Sequence, residues 1–170
     1  MVAEPNSAWR GRWLWVILGV VFADRAIKYT IERFTSEGFR RELVPNAVVL
    51  VHSVNAGIAF GLLSDSASRV VSLLLIGSSV AVVSLLAWLL IKGRAGNFLS
   101  QAGLALIAGG AAGNVLDRVL HGGVTDFLEL RAGSFVWPAF NLADAAITIG
   151  ALLVILELLR AGQHPSREHV

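Results

Sequence analysis

The aspartates Asp126 and Asp144 are the side chains of this sequence best suited to acid–base chemistry. Asp126 stands in a glycine-flanked segment, where an isolated aspartate is usually a turn residue, and Asp144 stands near the start of a long apolar stretch. Two carboxylates at one site cannot both ionise easily, so one pKa rises and the pair shares a proton. Such a pair offers a base to activate water and an acid to protonate a leaving amine. The two aspartates therefore predict a hydrolase if the fold brings them together.

The other familiar catalytic arrangements are missing from the sequence. The chain has no cysteine, which excludes disulfides, thiolate metal sites and a cysteine nucleophile. No HExxH string or His/Cys cluster occurs. No histidine falls inside a long apolar stretch where it could serve a serine; the four are His52, His121, His164 and His169. We therefore expect no metal and no other cofactor.

Polar residues at helical spacing occur in two of the apolar stretches. Asp24 and Lys28 are four residues apart, so they share a helix face and can pair. We expect a structural ion pair, because a single charge near the centre of a bilayer costs about 2.5–3.5 kcal/mol. Asn114 and Arg118 have the same spacing. Either Arg118 anchors a helix end among lipid headgroups, or both side chains face a polar cavity and bind a peptide backbone or a headgroup.

The composition is that of a membrane protein. Of the 170 residues, 55% are hydrophobic and 15% are charged, and the mean hydropathy is +0.69. Soluble domains average about 45–50% apolar and about 25% charged residues, so an ordinary soluble enzyme and a disordered chain are both excluded. The net charge is +2, and the basic residues are dispersed between apolar runs. Nucleic acid is therefore not an expected partner.

Four apolar stretches approach the length of ~20 residues that a helix needs to cross a bilayer. They lie at about residues 13–31, 70–91, 98–119 and 139–159. They predict an all-α integral membrane protein with four transmembrane helices in a single membrane domain, residues 1–170. The short loop that contains Lys92 and Arg94 has no acidic residue. Such loops are retained in the cytoplasm, which predicts that both termini are cytoplasmic.

The first stretch also resembles a signal peptide. Arg10 and Arg12 precede an apolar run, and residues 21–23 form an acceptable cleavage site. Because Asp24 and Lys28 follow directly after that site and look functional, we expect the segment to be retained.

The two outer connections predict different structures. Within the long connection 32–69, residues 43–54 are rich in valine and indicate one or two short strands. Strands outside the bilayer must pair their backbone groups, so we expect a small extracytoplasmic β-sheet on the membrane surface. The connection 120–138 indicates loop and turn, because of its residues Gly122, Gly123, Gly133 and Pro138.

Read together, five strings resemble, in order, those of the bacterial lipoprotein signal peptidases, the signal peptidase II family. The resemblance extends from about Trp13 to Leu159, and the five strings in the right order are far more specific than any one alone. Thr125 departs from the family pattern but replaces no catalytic group. The strings are Asp24 and Lys28 (D-x-x-x-K), Asn55–Phe60 (N-x-G-x-A-F), Gly109–Arg118 (G-G-x-x-G-N-x-x-D-R), Val124–Phe127 (V-V-D-F, with Thr125 for the second Val) and Phe140–Asp144 (F-N-x-A-D).

The resemblance implies an aspartic endopeptidase of the bacterial inner membrane, with its active site on the extracytoplasmic side. Its substrate is a prolipoprotein whose lipobox cysteine carries diacylglycerol, and cleavage falls on the N-terminal side of that cysteine. Expected contacts are this substrate and membrane lipids, with the enzyme acting as a monomer. Asp126 and Asp144 match the catalytic positions, and Asp24 and Lys28, which we expect to form a structural ion pair, match the first-span string. Five further residues match positions that bind substrate or support the two aspartates: Asn55, Gly57, Asn114, Arg118 and Asn141.

Two other classes of protein fit the residues less well. A small proton-coupled carrier could use Asp24, Lys28 and Asp144 as a relay, but the chain has no visible inverted repeat. A purely structural membrane subunit would leave two carboxylates at the outer face unexplained. The carrier is the alternative to the peptidase.

Overall fold

Four helices and four strands make up the part of the chain that the structure describes. The computed structural model describes residues 7–55 and 65–162. In chain order the elements are α1 (Ser7–Phe34), β1 (Arg40–Val44), β2 (Val48–Asn55), α2 (Asp65–Ile91), α3 (Phe98–His121), β3 (Val124–Ala132), β4 (Phe135–Phe140) and α4 (Leu142–Gly162).

Helix α3 is the centre of the helix bundle, since it packs against α1, α2 and α4. Small residues allow the close approach, as is usual between membrane helices. A Cβ atom added at Gly110 would lie 2.3 Å from the carbonyl oxygen of Ala143, in the first turn of α4. One added at Gly113 would lie 3.0 Å from the Asp24 carboxylate of α1. The glycines of α3 thus bring the polar residues of three helices together.

The four strands form one antiparallel sheet in the order β1-β2-β3-β4. The predicted strands at residues 43–54 are confirmed as β1 and β2. The prediction of loop and turn for residues 120–138 is wrong, because β3 and most of β4 occupy this segment. Its glycines mark the ends of strand β3: Gly122 is the left-handed cap of α3, and Gly133 turns the chain into β4. Pro138 is tolerated because β4 is an edge strand.

The helix bounds differ from the predicted spans in ways that matter for the polar residues. Helix α4 begins at Leu142 and not near residue 139, because the preceding residues complete β4. Among the described residues, three helices are long and apolar enough to cross a membrane, at Val70–Ile91, Phe98–His121 and Leu142–Arg160. Helix α1 has 28 residues but carries several charges. The four-span count and the cytoplasmic termini stay predictions.

We expect Gly110→Ala to lower the melting temperature of the purified protein. The added Cβ would lie 2.3 Å from a backbone oxygen, so α3 and α4 must separate, and overpacking of this kind costs about 1–3 kcal/mol. Gly19→Ala is the matched control, because a Cβ there meets nothing within 4 Å. Thermal unfolding of both variants in one detergent is the measurement. Equal melting temperatures would contradict the close helix contact.

Candidate functional site

The site is built on the N-terminus of α4. Asn141 caps the helix: its Oδ1 atom accepts the N–H of Asp144 at 2.9 Å, and Asp144 Oδ2 accepts the N–H of Asn141 at 3.2 Å. This reciprocal arrangement satisfies two backbone donors that a helix end leaves unpaired. It also holds Asp144 in the first turn of α4, where the helix dipole favours negative charge.

The same Asn141 side chain joins the two aspartates. Its Nδ2 atom donates to Asp126 Oδ1 at 2.7 Å, while its Oδ1 atom holds the backbone of Asp144. Asp126 lies on β3 and is 4% exposed. A longer hydrogen bond of 3.4 Å joins Asn55 Nδ2, at the end of β2, to Asp126 Oδ2. The fold therefore brings together residues from β2, β3 and α4 that are distant in sequence.

Asn114 of α3 connects Asp144 to a buried lysine. Its Nδ2 atom donates to Asp144 Oδ1 at 2.8 Å, and its Oδ1 atom accepts from Lys28 Nζ at 3.1 Å. The orientation of the Asn114 amide is thus set by an acceptor on one side and a donor on the other.

Lys28 lies at the centre of a buried ion cluster, formed by Asp24, Lys28 and Asp117. Its Nζ atom is 2.7 Å from Asp24 Oδ2 and 2.7 Å from Asp117 Oδ2, and all three side chains are at most 1% exposed. Asp24 also accepts the N–H of Ala143 at 2.9 Å. The cluster therefore fastens α1 both to α3 and to the start of α4.

A second row of charged groups extends from the cluster and was not found from the sequence. Arg25 Nη1 lies 2.9 Å from Asp117 Oδ1, and the Arg25 guanidinium also pairs with Glu32. Glu32 in turn accepts the hydroxyl of Thr125 at 2.7 Å. The spacing of Lys28 and Glu32, which places both on one face of α1, was a signal for part of this row.

Arg118 lies beside the site with an unused donor. Its Nη1 atom donates to the Asn114 carbonyl at 3.2 Å, and its charge interacts with those of Asp144 and Asp126. Within residues 11–55 and 70–160, where side chains are described, its buried Nε atom has no hydrogen-bond partner. Gly57, the remaining predicted site residue, lies outside the described residues.

The two aspartates have different surroundings. Burial, reinforced by the nearby charge of Asp144, raises the pKa of Asp126 to about 6, although the hydrogen bond from Asn141 acts in the opposite direction. Asp144 accepts N–H donors from Asn114 and Asn141 at a helix N-terminus. The surroundings of Asp126 therefore favour its protonated form. Among all the described side chains, those of the site included, no group of three or more His, Asp or Glu residues could hold a metal ion.

Comparison with known proteins identifies the family. The sequence model of Signal peptidase (SPase) II matches residues 16–160. This chain belongs to the signal peptidase II family. It is 38% identical over 157 residues to a lipoprotein signal peptidase of Solibacter usitatus, covering 92% of this chain and 94% of that protein. It is 43% identical over 152 residues to one of Vibrio campbellii, covering 88% and 89%.

Solved structures of two bacterial membrane enzymes share the fold of this signal peptidase II family member. The first, determined by the in meso method at 2.3 Å resolution, has a TM-score of 0.80 and 29% identity, covering 94% of both chains. The second, at 1.9 Å resolution, has a TM-score of 0.76 and 31% identity, covering 88% of this chain and 93% of that one. With its apolar helices, the chain is therefore a multi-pass membrane peptidase.

An apolar cleft opens beside Asp144 in this peptidase. It has a volume of about 270 Å³ and lies between the edge strand β4 and the flank of α4. Asp144 is the one charged residue among those that line it. Its other lining residues are Leu130, Trp137, Phe140, Ala145, Thr148 and Ile149. An apolar ligand could therefore reach a carboxylate of the site from the side of the helix bundle.

We expect Asp126→Asn to raise the melting temperature at pH 8 and to have little effect at pH 4. Folding raises the pKa of Asp126 to about 6, so the folded protein binds this proton more tightly than the unfolded chain. Ionisation therefore opposes folding progressively between pH 4 and 6, by up to about 3 kcal/mol above that range. Asparagine does not ionise and avoids this cost. Thermal unfolding at a series of pH values is the measurement.

Glu129→Gln, on the same strand, is the control, and we expect it to change the melting temperature in the opposite direction. The hydrogen bond from Arg40 holds the pKa of Glu129 below its usual value. Its negative charge therefore stabilises the folded protein above pH 4.5, and Glu129→Gln should lower the melting temperature at pH 8. If the melting temperatures of both variants change in the same direction at pH 8, the opposite pKa shifts of the two carboxyl groups are contradicted.

We expect Lys28→Met to destabilise the protein strongly. The substitution keeps the apolar length of the side chain but leaves Asp24 and Asp117 buried without their shared counter-ion. Removing one member of a buried ion pair costs about 3–5 kcal/mol. Lys92→Met, in the exposed turn between α2 and α3, is the control. The role of the cluster is contradicted if the two variants unfold at the same temperature.

Proposed function

We propose that this protein is an aspartic endopeptidase that removes the signal peptide from diacylglyceryl-modified prolipoproteins. It cleaves on the N-terminal side of the lipidated cysteine, at the extracytoplasmic side of the bacterial cytoplasmic membrane. The observation that carries the proposal is that Asn141 contacts both Asp126 and Asp144. It holds two carboxyl groups of different environment together, as an acid–base pair requires. The names of the curated relatives support the class of substrate.

In the proposed reaction the two carboxyl groups have different roles. Asp144, as carboxylate, accepts a proton from water while the water oxygen attacks the scissile carbonyl carbon. Asp126 donates its proton to the carbonyl oxygen, which gives a neutral gem-diol. The carbon–nitrogen bond then breaks as Asp144 passes its proton to the amine nitrogen, and a diol hydroxyl returns a proton to Asp126. Both residues end in their starting protonation states.

Arg118 and Asn114 are the residues that we propose to bind or align the substrate. The Nε atom of Arg118 is buried and unused among the described side chains, and an arginine donor suits a backbone carbonyl. Asn114 holds Asp144 in place at 2.8 Å. Asn55 stands on the Asp126 side of the site, and Gly57 follows it in sequence. The cleft beside Asp144 would admit the apolar part of the substrate laterally from the bilayer.

We further propose four membrane spans with both termini in the cytoplasm, including α1 as the first. At about 1.5 Å per residue, its 28 residues suffice to cross a hydrocarbon core of about 30 Å. Asp24 and Lys28, in its second half, do not oppose insertion, because they are paired and wholly buried against α3 and α4. A bundle that shields these charges from lipid allows α1 to span the membrane.

We expect Asp126→Asn and Asp144→Asn each to lose nearly all turnover. Both substitutions keep the side-chain shape but remove a titrating proton, and acid–base groups contribute about 10²–10⁴-fold each. The double variant should be little slower than either single one, because the two groups act as a unit. The measurement is single-turnover cleavage of a lipidated prolipoprotein by each purified variant.

Glu42→Gln, on the exposed strand β1, is the control and should cleave at the wild-type rate. The same prolipoprotein without the lipid on its cysteine should be a poor substrate for the wild type. If Asp126→Asn cleaves at a tenth of the wild-type rate or faster, the assignment of the pair fails. A proton-coupled carrier using Asp144 as a relay would tolerate Asp126→Asn.

A further inference from the structure

Glu32 has no part in the proposed reaction, yet it joins α1 to the strand that carries Asp126. Its carboxylate forms an ion pair with Arg25 and accepts a hydrogen bond from the hydroxyl of Thr125, with 2.7 Å between the two oxygen atoms. Thr125 is 4% exposed and directly precedes Asp126. It is also the position at which this chain departs from the V-V-D-F string. A valine at this position could not donate this hydrogen bond.

Three successive turns of α1 reach towards the two aspartates. Asp24 accepts the N–H of Ala143, beside Asp144. Lys28 donates to Asn114, which holds the Asp144 carboxylate. Glu32, one turn further along, contacts the residue beside Asp126. One rigid helix therefore contacts the supports of both carboxyl groups.

The start of β3 needs such a support. The strand begins directly after two glycines, of which Gly122 adopts a left-handed conformation with φ 75°. Successive side chains of a strand point to opposite faces, so Thr125 and Asp126 are held from opposite sides. Asn141 donates to Asp126 at 2.7 Å, and Glu32 accepts from Thr125 at 2.7 Å. The two hydrogen bonds together oppose rotation of the strand about its own axis.

We propose that Glu32 and Thr125 are a positioning pair that sets the place of Asp126 relative to Asp144. The pair acts through the backbone of β3 and does not touch the substrate. Its loss should therefore slow the chemical step and leave substrate binding unchanged, since small misplacements of a reacting group cost much of the rate. The inference rests on the proposed function, because it requires Asp126 to react.

The first test is Thr125→Val, which keeps the shape of the side chain and removes its hydroxyl. We expect kcat for cleavage of a lipidated prolipoprotein to fall about tenfold, with KM within about twofold of the wild type, the order expected when a hydrogen bond to a charged group is lost. Thr125→Ser keeps the hydroxyl and should restore kcat to within about twofold. Thr30→Val is the matched control, because the Thr30 hydroxyl is exposed and donates to the Ala26 carbonyl of its own helix.

The second test removes the same contact from the side of the helix. Glu32→Ala should lower kcat at least as much as Thr125→Val, again without raising KM. The double variant Glu32→Ala/Thr125→Val should be no slower than Glu32→Ala alone, because the two residues act through one hydrogen bond. Should Thr125→Val not fold, Glu32→Ala and its comparison with Thr125→Ser decide the question.

Two results would overturn the inference. In one, Thr125→Val keeps kcat within twofold of the wild type while its melting temperature falls, which is the behaviour of a merely structural contact. In the other, the losses of the two single variants multiply in the double variant. Asp126→Asn in the same assay separates this failure from that of the proposed function. An active Asp126→Asn overturns the function itself, whereas an inactive one beside a fully active Thr125→Val overturns only the positioning pair.

Discussion

The burial of the Lys28 ammonium group constrains the rest of the structure more than any other interaction. The side chain is 0% exposed, and a charge in such a place must be paired to be tolerated. Asp24 and Asp117 supply the pairing from α1 and α3, each at 2.7 Å. Asp24 then also accepts a backbone N–H at the start of α4. Neutralising one charge thus fixes the relative positions of three helices.

The two aspartates have different surroundings because they lie on different secondary-structure elements. Asp144 belongs to the first turn of a helix, where backbone and amide donors converge on a carboxylate. Asp126 belongs to a buried strand, where burial raises its pKa to about 6. Asn141 links the two, because it stands between β4 and α4 and contacts both residues. One amide side chain therefore joins two carboxyl groups that have different surroundings.

The sequence predicted the elements whose signals are local. The long apolar stretches correspond to helices, and the valine-rich segment 43–54 forms strands. Residues 120–138 were wrongly predicted as loop and turn, because Gly122 and Gly133 lie on either side of strand β3 and not within it. The spacing of Asp24 and Lys28 within one helix predicted that they pair. It could not predict Asp117 or Thr125 as partners of α1, because their contacts join residues about 90 positions apart in the chain.

The cap of α4 would be affected by the proton transfers of the proposed reaction. The carboxylate of Asp144 that would take a proton from water also accepts the N–H of Asn141 in the cap of the helix and the Nδ2 donor of Asn114 on α3. Once protonated, the carboxyl group is a weaker acceptor and no longer complements the positive helix end. Each turnover would then loosen a helix terminus and restore it when the proton leaves for the amine. The same hydrogen bonds would therefore oppose protonation of Asp144 in the first step and favour release of that proton to the amine in the second.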